Sequence, residues 1–394
     1  MIKDKIKELA AKYAEEFIEI RHYLHARPEL SYNEFETSKY IQEKLSGWNI
    51  GYQVMATTGV VGIIQGMSTG SRTIALRADM DALPITELNE IDYRSQNPGV
   101  MHACGHDVHT TCLLGAAKIL NELKEEWAGK VKLIFQPGEE KNPGGASLLI
   151  KEGVLEKPAP DAIFALHVHP GLPVGKLSFR SGMVMASADE IYITIKGKGG
   201  HAAAPHLTSD TILVASQLVV NLQQVVSRMN DPFNPCVLSI TSIQGGNTTN
   251  VIPSEVKLIG TFRAMNEEWR FKAHELIRKI SRNTAETGGA EIDVNIDIGY
   301  PFVINNESLT VMATRKAVEF AGAANVEETE MRMGAEDFAF YSHRIPACFF
   351  RLGVGNIEKN ITSGVHTPTF NIDENAIENG MGIMAWLAAS VPGS

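Results

Sequence analysis

The most constraining feature of this chain is an order of elements in its middle. Between about residues 181 and 299 the pattern runs strand, helix, strand, strand, helix, strand. Apolar and polar residues alternate over 191–195, and the turn Gly197-Lys198-Gly199-Gly200 follows. Helical spacing covers 209–228, strands are expected over 237–243 and 256–263, a helix over 268–287 and a strand over 292–298. That β-α-β-β-α-β series closes a two-layer ferredoxin-like sandwich on itself. The flanking segments read differently. Two helices fill 1–46, and buried strand patterns at 60–65, 73–77, 131–135 and 162–166 are interrupted by a helix over 107–123. A strand at 348–352 and a closing helix from about 374 resume the series after Gly299. The expectation is an α/β layered domain, residues 1–182 and 299–394, with a second domain, residues 183–298, inserted into it.

With 394 residues, two cores are the natural division. The charge of −10, without a basic stripe, argues against nucleic acid or an anionic membrane as partner. No stretch has the 18 apolar residues of a membrane span, and the charged start Met1-Ile2-Lys3-Asp4-Lys5 is unlike a signal peptide, so a cytoplasmic protein is expected. The four cysteines form no CxxC pair. Cys112, Cys236 and Cys348 read as packing residues; Cys104 does not.

Cys104 lies in Met101-His102-Ala103-Cys104-Gly105-His106-Asp107-Val108-His109-Thr110, just ahead of a helix. Thiolate and imidazole are the donors that zinc and similar divalent ions prefer, and two positions apart on an extended loop they can point the same way. Glu139-Glu140 follows a buried strand, where adjacent carboxylates repel unless one binds a cation and the other serves as a base. His167 and His169 end another strand, and His167 continues the strand face. His366 sits far along the chain. Asp79, at the end of a buried strand, is placed to orient a ligand histidine. Strand ends on one edge of an α/β sheet are where such folds build sites.

Taken in order, the motifs carry a resemblance. They are Arg21-His22-Tyr23-Leu24-His25 with Pro28-Glu29-Leu30; Arg77-Ala78-Asp79-Met80-Asp81-Ala82-Leu83-Pro84; the Cys104 run; Gln136-Pro137-Gly138-Glu139-Glu140; Gly199-Gly200-His201; Asn250-Val251-Ile252-Pro253; Gly334-Ala335-Glu336-Asp337-Phe338; and His366-Thr367-Pro368. Together they resemble the M20 metallopeptidases, in the aminoacylase-like branch of N-acyl amino acid, hippurate and auxin-conjugate hydrolases. The resemblance implies a zinc-peptidase-like catalytic domain with a ferredoxin-like lid and dimerisation domain. It implies two divalent ions (zinc, manganese or cobalt) on Cys104, His106, Glu140, His167 and His366, with Cys104 bridging. It also implies Glu139 as general base, Asp79 in support, and His201, Asn250, Arg263 and Gly334 toward the substrate. His201 reaching a partner's site would make a homodimer or a tetramer. The implied reaction cleaves an N-acetyl or N-benzoyl amino acid. A carboxypeptidase or dipeptidase is the alternative within the family; a catalytically inactive metal-binding or redox-responsive protein is the alternative outside it.

Overall fold

The computed structural model describes residues 1–67 and 70–390. They form two compact units, 1–184 with 304–330 and 337–390, and 185–303 with 331–336. Against the sequence expectation, the second unit begins at 185 rather than 183, ends at 303 rather than 298, and takes in 331–336. Tyr300 O accepts from Ala188 N, and Phe302 N donates to Glu267, so the exit runs on to Val303. Residues 331–336, expected with the first domain, fall in the second unit because Ala186 N donates to Arg332 O and Gly334 O.

The first unit opens with α1 (Ile2–His25) and α2 (Phe35–Gly47), then β1 (Gly51–Met55), β2 (Gly59–Gln65) and β3 (Thr73–Asp79). α3 (His106–Glu122), β4 (Lys130–Gln136), α4 (Gly145–Lys151), β5 (Ala162–Pro173) and β6 (Leu177–Phe179) complete its N-terminal part. The second unit supplies β7 (Asp189–Lys196), α5 (Thr211–Ser227), β8 (Cys236–Gln244), β9 (Glu255–Ala264), α6 (Glu267–Thr287) and β10 (Glu291–Ile298). The chain then returns through α7 (Glu307–Ala321), β11 (Val326–Glu328), β12 (Ala347–Gly355) and α8 (Asn375–Ser390).

Eight strands of the first unit form one mixed sheet in the order β1-β2-β4-β3-β5-β12-β6-β11. Its centre, β4-β3-β5-β12, is parallel. Every residue of β3 is buried, the pattern of a strand covered on both faces. The expected strand at 162–166 continues to Pro173 as β5, and its far end pairs with β12 at Gly355. β1 is an addition: its first four residues are exposed, so it has no apolar pattern to read. Leu133, Phe164, Phe350 and Leu352 belong to the core of this unit.

The second unit is a four-stranded antiparallel sheet in the order β8-β9-β7-β10. With two helices in sequence between the strands, this is the ferredoxin-like order. β7 alternates buried and exposed residues, as a one-sided sheet requires. Ile191, Ile193 and Ile195 pack with Leu218 and Leu222 of α5 and Ile277 of α6. Asp210 and Asn266 cap those helices through Leu213 N and Trp269 N.

Candidate metal centre

The C-terminal ends of the parallel strands place the donors. α3 begins at His106, immediately after Gly105. Gly105 has φ +87°, and a Cβ there would lie 2.5 Å from Val168 Cγ2, so only glycine lets this turn approach β5. Thr110 Oγ1 donates to Asp79 O at 2.9 Å and ties the helix to the end of β3. Asp107 is gripped by Arg21 Nε at 3.1 Å and His25 Nδ1 at 2.8 Å, which fixes the first turn that carries His106.

Around this turn the structure gathers Cys104, His106, His167, His366, Glu139 and Glu140. Cys104 Sγ lies 3.5 Å from His167 Nε2 and 3.3 Å from His366 Nε2. Glu140 Oε1 lies 3.3 Å from His366 Nε2 and 3.9 Å from His106 Nε2. Groups with ligand atoms within 4.8 Å of one another include Cys104, His106 and His167; Cys104, Glu140 and His366; His106, Glu139 and Glu140; and Asp79, His106 and His109. Cys104 belongs to two of them, which suits a shared thiolate.

Hydrogen bonds decide which histidine lone pairs are free. His167 Nδ1 faces Val168 O at 2.8 Å; a carbonyl only accepts, so Nδ1 carries the proton and Nε2 presents its lone pair toward Cys104. His106 Nδ1 faces Asp81 Oδ1 at 3.2 Å, and its Nε2 is buried with no hydrogen-bond partner among the described residues. An orphaned buried nitrogen beside a thiol and a carboxylate fits a metal ligand. His109 is excluded by the same logic. Its Nε2 accepts from Val168 N at 2.9 Å and its Nδ1 is held by Asp79, so both nitrogens are spent. His169 joins no such donor group among the described residues.

Burial and Glu140 push the Cys104 thiol up. Hydrogen bonds with Cys104 and Glu140 push the half-exposed His366 up to about 10. His366 also has φ +61°, an uncommon backbone state for a side chain that large, held by its N–H on Ala103 O at 2.7 Å. The donors present therefore fit two divalent ions.

The carboxylate that meets His106 Nδ1 is Asp81, while Asp79 meets His109 Nδ1. Asp79 is bound by Arg77 at 2.5 Å and His109 at 2.6 Å, and its nearer oxygen is 3.8 Å from His106 Nε2. Asp81 accepts from His106 Nδ1, Ser31 Oγ (2.6 Å), Glu139 N (3.1 Å) and Glu140 N (3.0 Å), and so fixes the ring of His106. Both aspartates stand in one motif, and only the fold shows which reaches His106. Arg77 carries the other branch, reaching Asp337 Oδ1 at 2.7 Å, while Asp337 N donates to Glu139 Oε1 at 3.4 Å.

The residues expected to meet the substrate all lie in the second unit. His201 pairs with Val251, next to Asn250, whose carbonyl accepts from Ala202 N. His201 Nδ1 accepts from Ala203 N at 3.0 Å, and its ring is exposed. Arg263 is half-buried on β9, where it donates to Thr261 Oγ1, to Phe262 O and to Asp189 O. Gly334 offers its carbonyl to Ala186 N.

Comparison with known proteins agrees with this chemistry. Residues 75–390 match the profile of Peptidase family M20/M25/M40. IAA-amino acid hydrolase ILR1-like 5 of Arabidopsis thaliana is 41% identical, covering 94% of this chain and 85% of its own. Thermostable carboxypeptidase 2 of Saccharolobus solfataricus is 38% identical over 98% of both. The crystal structure of Bacillus subtilis YXEP, a dinuclear metal binding peptidase of the M20 family, superposes with a TM-score of 0.82 at 35% identity, covering 97% of this chain and 99% of that one. With its profile match, its relatives and its donor set in agreement, this chain belongs to Peptidase family M20/M25/M40.

Proposed function

We propose that this protein is a metal-dependent amidohydrolase that cleaves N-acyl amino acids, N-acetyl or N-benzoyl, into a carboxylic acid and a free amino acid. The observation that carries the reading is the pairing of a five-donor cluster with an adjacent buried carboxylate, Glu139, beside the ligand Glu140. Cys104, His106, Glu140, His167 and His366 hold two divalent ions, and zinc, manganese and cobalt all suit this mixture of soft and hard donors. When bound, the ions supply Lewis acidity to the scissile carbonyl and acidify water. Glu139 takes the proton of the attacking water and delivers it to the leaving amine. Asp337 N and Asp81 hold Glu139 from its side chain and its backbone.

Residues 1–184, 304–330 and 337–390 form the catalytic part in this reading, and the ferredoxin-like unit is a lid and dimerisation domain. His201, Asn250, Arg263 and Gly334 receive the substrate, and the planar Arg263 fork suits its carboxylate. A homodimer is supported by the unpaired edge of β8 and by exposed Val220 and Phe233 on the same unit. A ligand thiolate keeps best in a reducing compartment, which favours the cytoplasm; among the described residues no helix is long and apolar enough to cross a membrane.

One observation favours a second reading: the Saccharolobus relative is a carboxypeptidase, and both reactions cut an amide next to a free carboxylate. The test is a panel of N-acetyl amino acids, N-benzoyl amino acids and dipeptides with zinc, manganese or cobalt, before and after chelation. Faster turnover of acyl substrates supports the amidohydrolase; faster turnover of dipeptides selects the peptidase. No turnover on any member sinks both.

A further inference from the structure

The loop that carries Glu139 and Glu140 is held in place from a different part of the chain. It runs from Pro137 to Gly144, between β4 and α4, without regular structure of its own. Three side chains bind five of its backbone groups. Asp81 takes Glu139 N and Glu140 N. Glu34 Oε1 accepts from Gly138 N at 2.8 Å. Tyr32 donates its hydroxyl to Lys141 O at 2.6 Å and accepts from Gly144 N at 3.0 Å.

Glu34 and Tyr32 come from the short link between α1 and α2, which also supplies Ser31 to Asp81. Glu34 is fully buried. Its Oε1 also accepts from Tyr32 N at 2.8 Å, and its Oε2 accepts from Thr58 Oγ1 at 2.8 Å. Tyr32 N and Gly138 N can only donate, while burial and the nearby Asp81 push this carboxyl up to about 7. Tyr32 itself has φ +67°, and its ring lies against Gly138, where a Cβ would come within 2.2 Å of Tyr32 Cε1. Nothing in local structure asks for a buried carboxylate and a strained tyrosine here. Burying such a group without a strong reason is costly.

We propose that Glu34 and Tyr32 are positioning residues that set where Glu139 and Glu140 stand relative to each other and to His106. They touch neither substrate nor a ligand side chain; they act through the backbone of the loop. A base displaced by about 1 Å can cost on the order of 100-fold in rate, so the clamp bears on turnover more than on binding. This inference rests on the role of Glu139 given above.

The experiment uses the full chain and two readouts. One is kcat and KM on the best substrate of the panel; the other is the visible spectrum of the Co2+-loaded protein, which reports ligand geometry with no turnover. Glu34→Ala is expected to lower kcat by at least about tenfold, to leave KM within about twofold, and to change the Co2+ spectrum. Glu34→Gln should recover most of the rate, because its amide oxygen still accepts from Gly138 and Tyr32 while the Thr58 hydroxyl turns to accept from its NH2. Tyr32→Phe keeps the ring against Gly138 and removes both hydroxyl bonds, and should lower kcat about threefold to tenfold.

Wild-type kcat and an unchanged spectrum in Glu34→Ala would overturn the proposal, whatever happens to its melting temperature. If Glu34→Ala does not fold, Tyr32→Phe decides alone: normal kcat and spectrum overturn, a reduced kcat or a shifted spectrum supports. An inactive wild type would sink the amidohydrolase reading instead, and the Co2+ spectra would still decide this one.

Discussion

Replacing Asp81 by asparagine changes one atom and removes one acceptor. Oδ1 accepts from His106 Nδ1 and Glu139 N, and Oδ2 from Ser31 Oγ and Glu140 N. Whichever way the new amide turns, its NH2 faces one of two backbone N–H groups, so a donor meets a donor. The side chain is 1% exposed and water cannot relieve the clash. One unsatisfied buried N–H costs about 1–3 kcal/mol. Losing the partner that orients a ligand histidine typically weakens metal binding about 10–100-fold, or roughly 1.4–2.7 kcal/mol, the same range. The assay is a competition titration of Zn2+ or Co2+ against a chromophoric chelator. Asp79→Asn is the control. It leaves the fully buried Arg77 short of one counter-charge, so it should cost about 3 kcal/mol of stability and change metal affinity less. Asp81→Asn with metal affinity within about twofold of wild type would refute the reasoning. A loss confined to Asp79→Asn would return the orienting role to Asp79.

Glu139→Gln should lower kcat by about 100-fold to 10,000-fold with full metal content, measured by steady-state kinetics beside elemental analysis. Cys104→Ser replaces the proposed thiolate ligand by a poorer donor; metal binding should weaken by at least about tenfold, read by the same titration. In the second unit, burial favours the neutral acid of Asp189, but hydrogen bonds from Arg270 and His274 more than reverse that and hold it below the usual carboxylate range. Its stabilisation is therefore complete above the unfolded value of about 3.9 and is lost as pH falls through the lower folded value. Asp189→Asn, which leaves the 2%-exposed Arg270 with the Glu267 carboxylate and two backbone carbonyls, should cost about 1–3 kcal/mol at pH 7 in denaturant unfolding, and the difference from wild type should shrink in acid.

What was legible in the sequence was whatever local pattern controls. The period-2 alternation of β7 and the helical spacing of α5 and α6 follow from one-sided burial, so the ferredoxin-like order could be read directly. Glu139, Glu140 and His167 were visible because reactive side chains follow apolar strand patterns, and Cys104 and His106 because they crowd one short run ahead of a helix. Contacts between distant segments were not. Asp79 and Asp81 are two positions apart, and only the path of the chain beyond β3 gives His106 to Asp81. His109 stands in the same run as His106, and only the fold shows Val168 N taking its lone pair. Residues 331–336 carry no pattern of their own; two backbone bonds to Ala186 assign them. The Tyr32 and Glu34 clamp left only a faint mark, an acidic residue in a short link between helices.

The in-register pairing of Asp189 with Ile298 brings the ends of the ferredoxin-like sandwich side by side, and this bears on the order of folding. In the central sheet Leu166 pairs with Phe350, 184 positions further along the chain. With the inserted unit unfolded, that contact closes a loop of the full length. Once residues 185–303 have folded and joined their own ends, the loop shrinks to roughly a third, and its closure becomes easier by about 0.9 kcal/mol. The last parallel strand is thus expected to join the sheet after the insert has formed. An insert that folds slowly would leave the edge of β5 exposed in the meantime, at the stage when an unpaired apolar strand is most prone to aggregate.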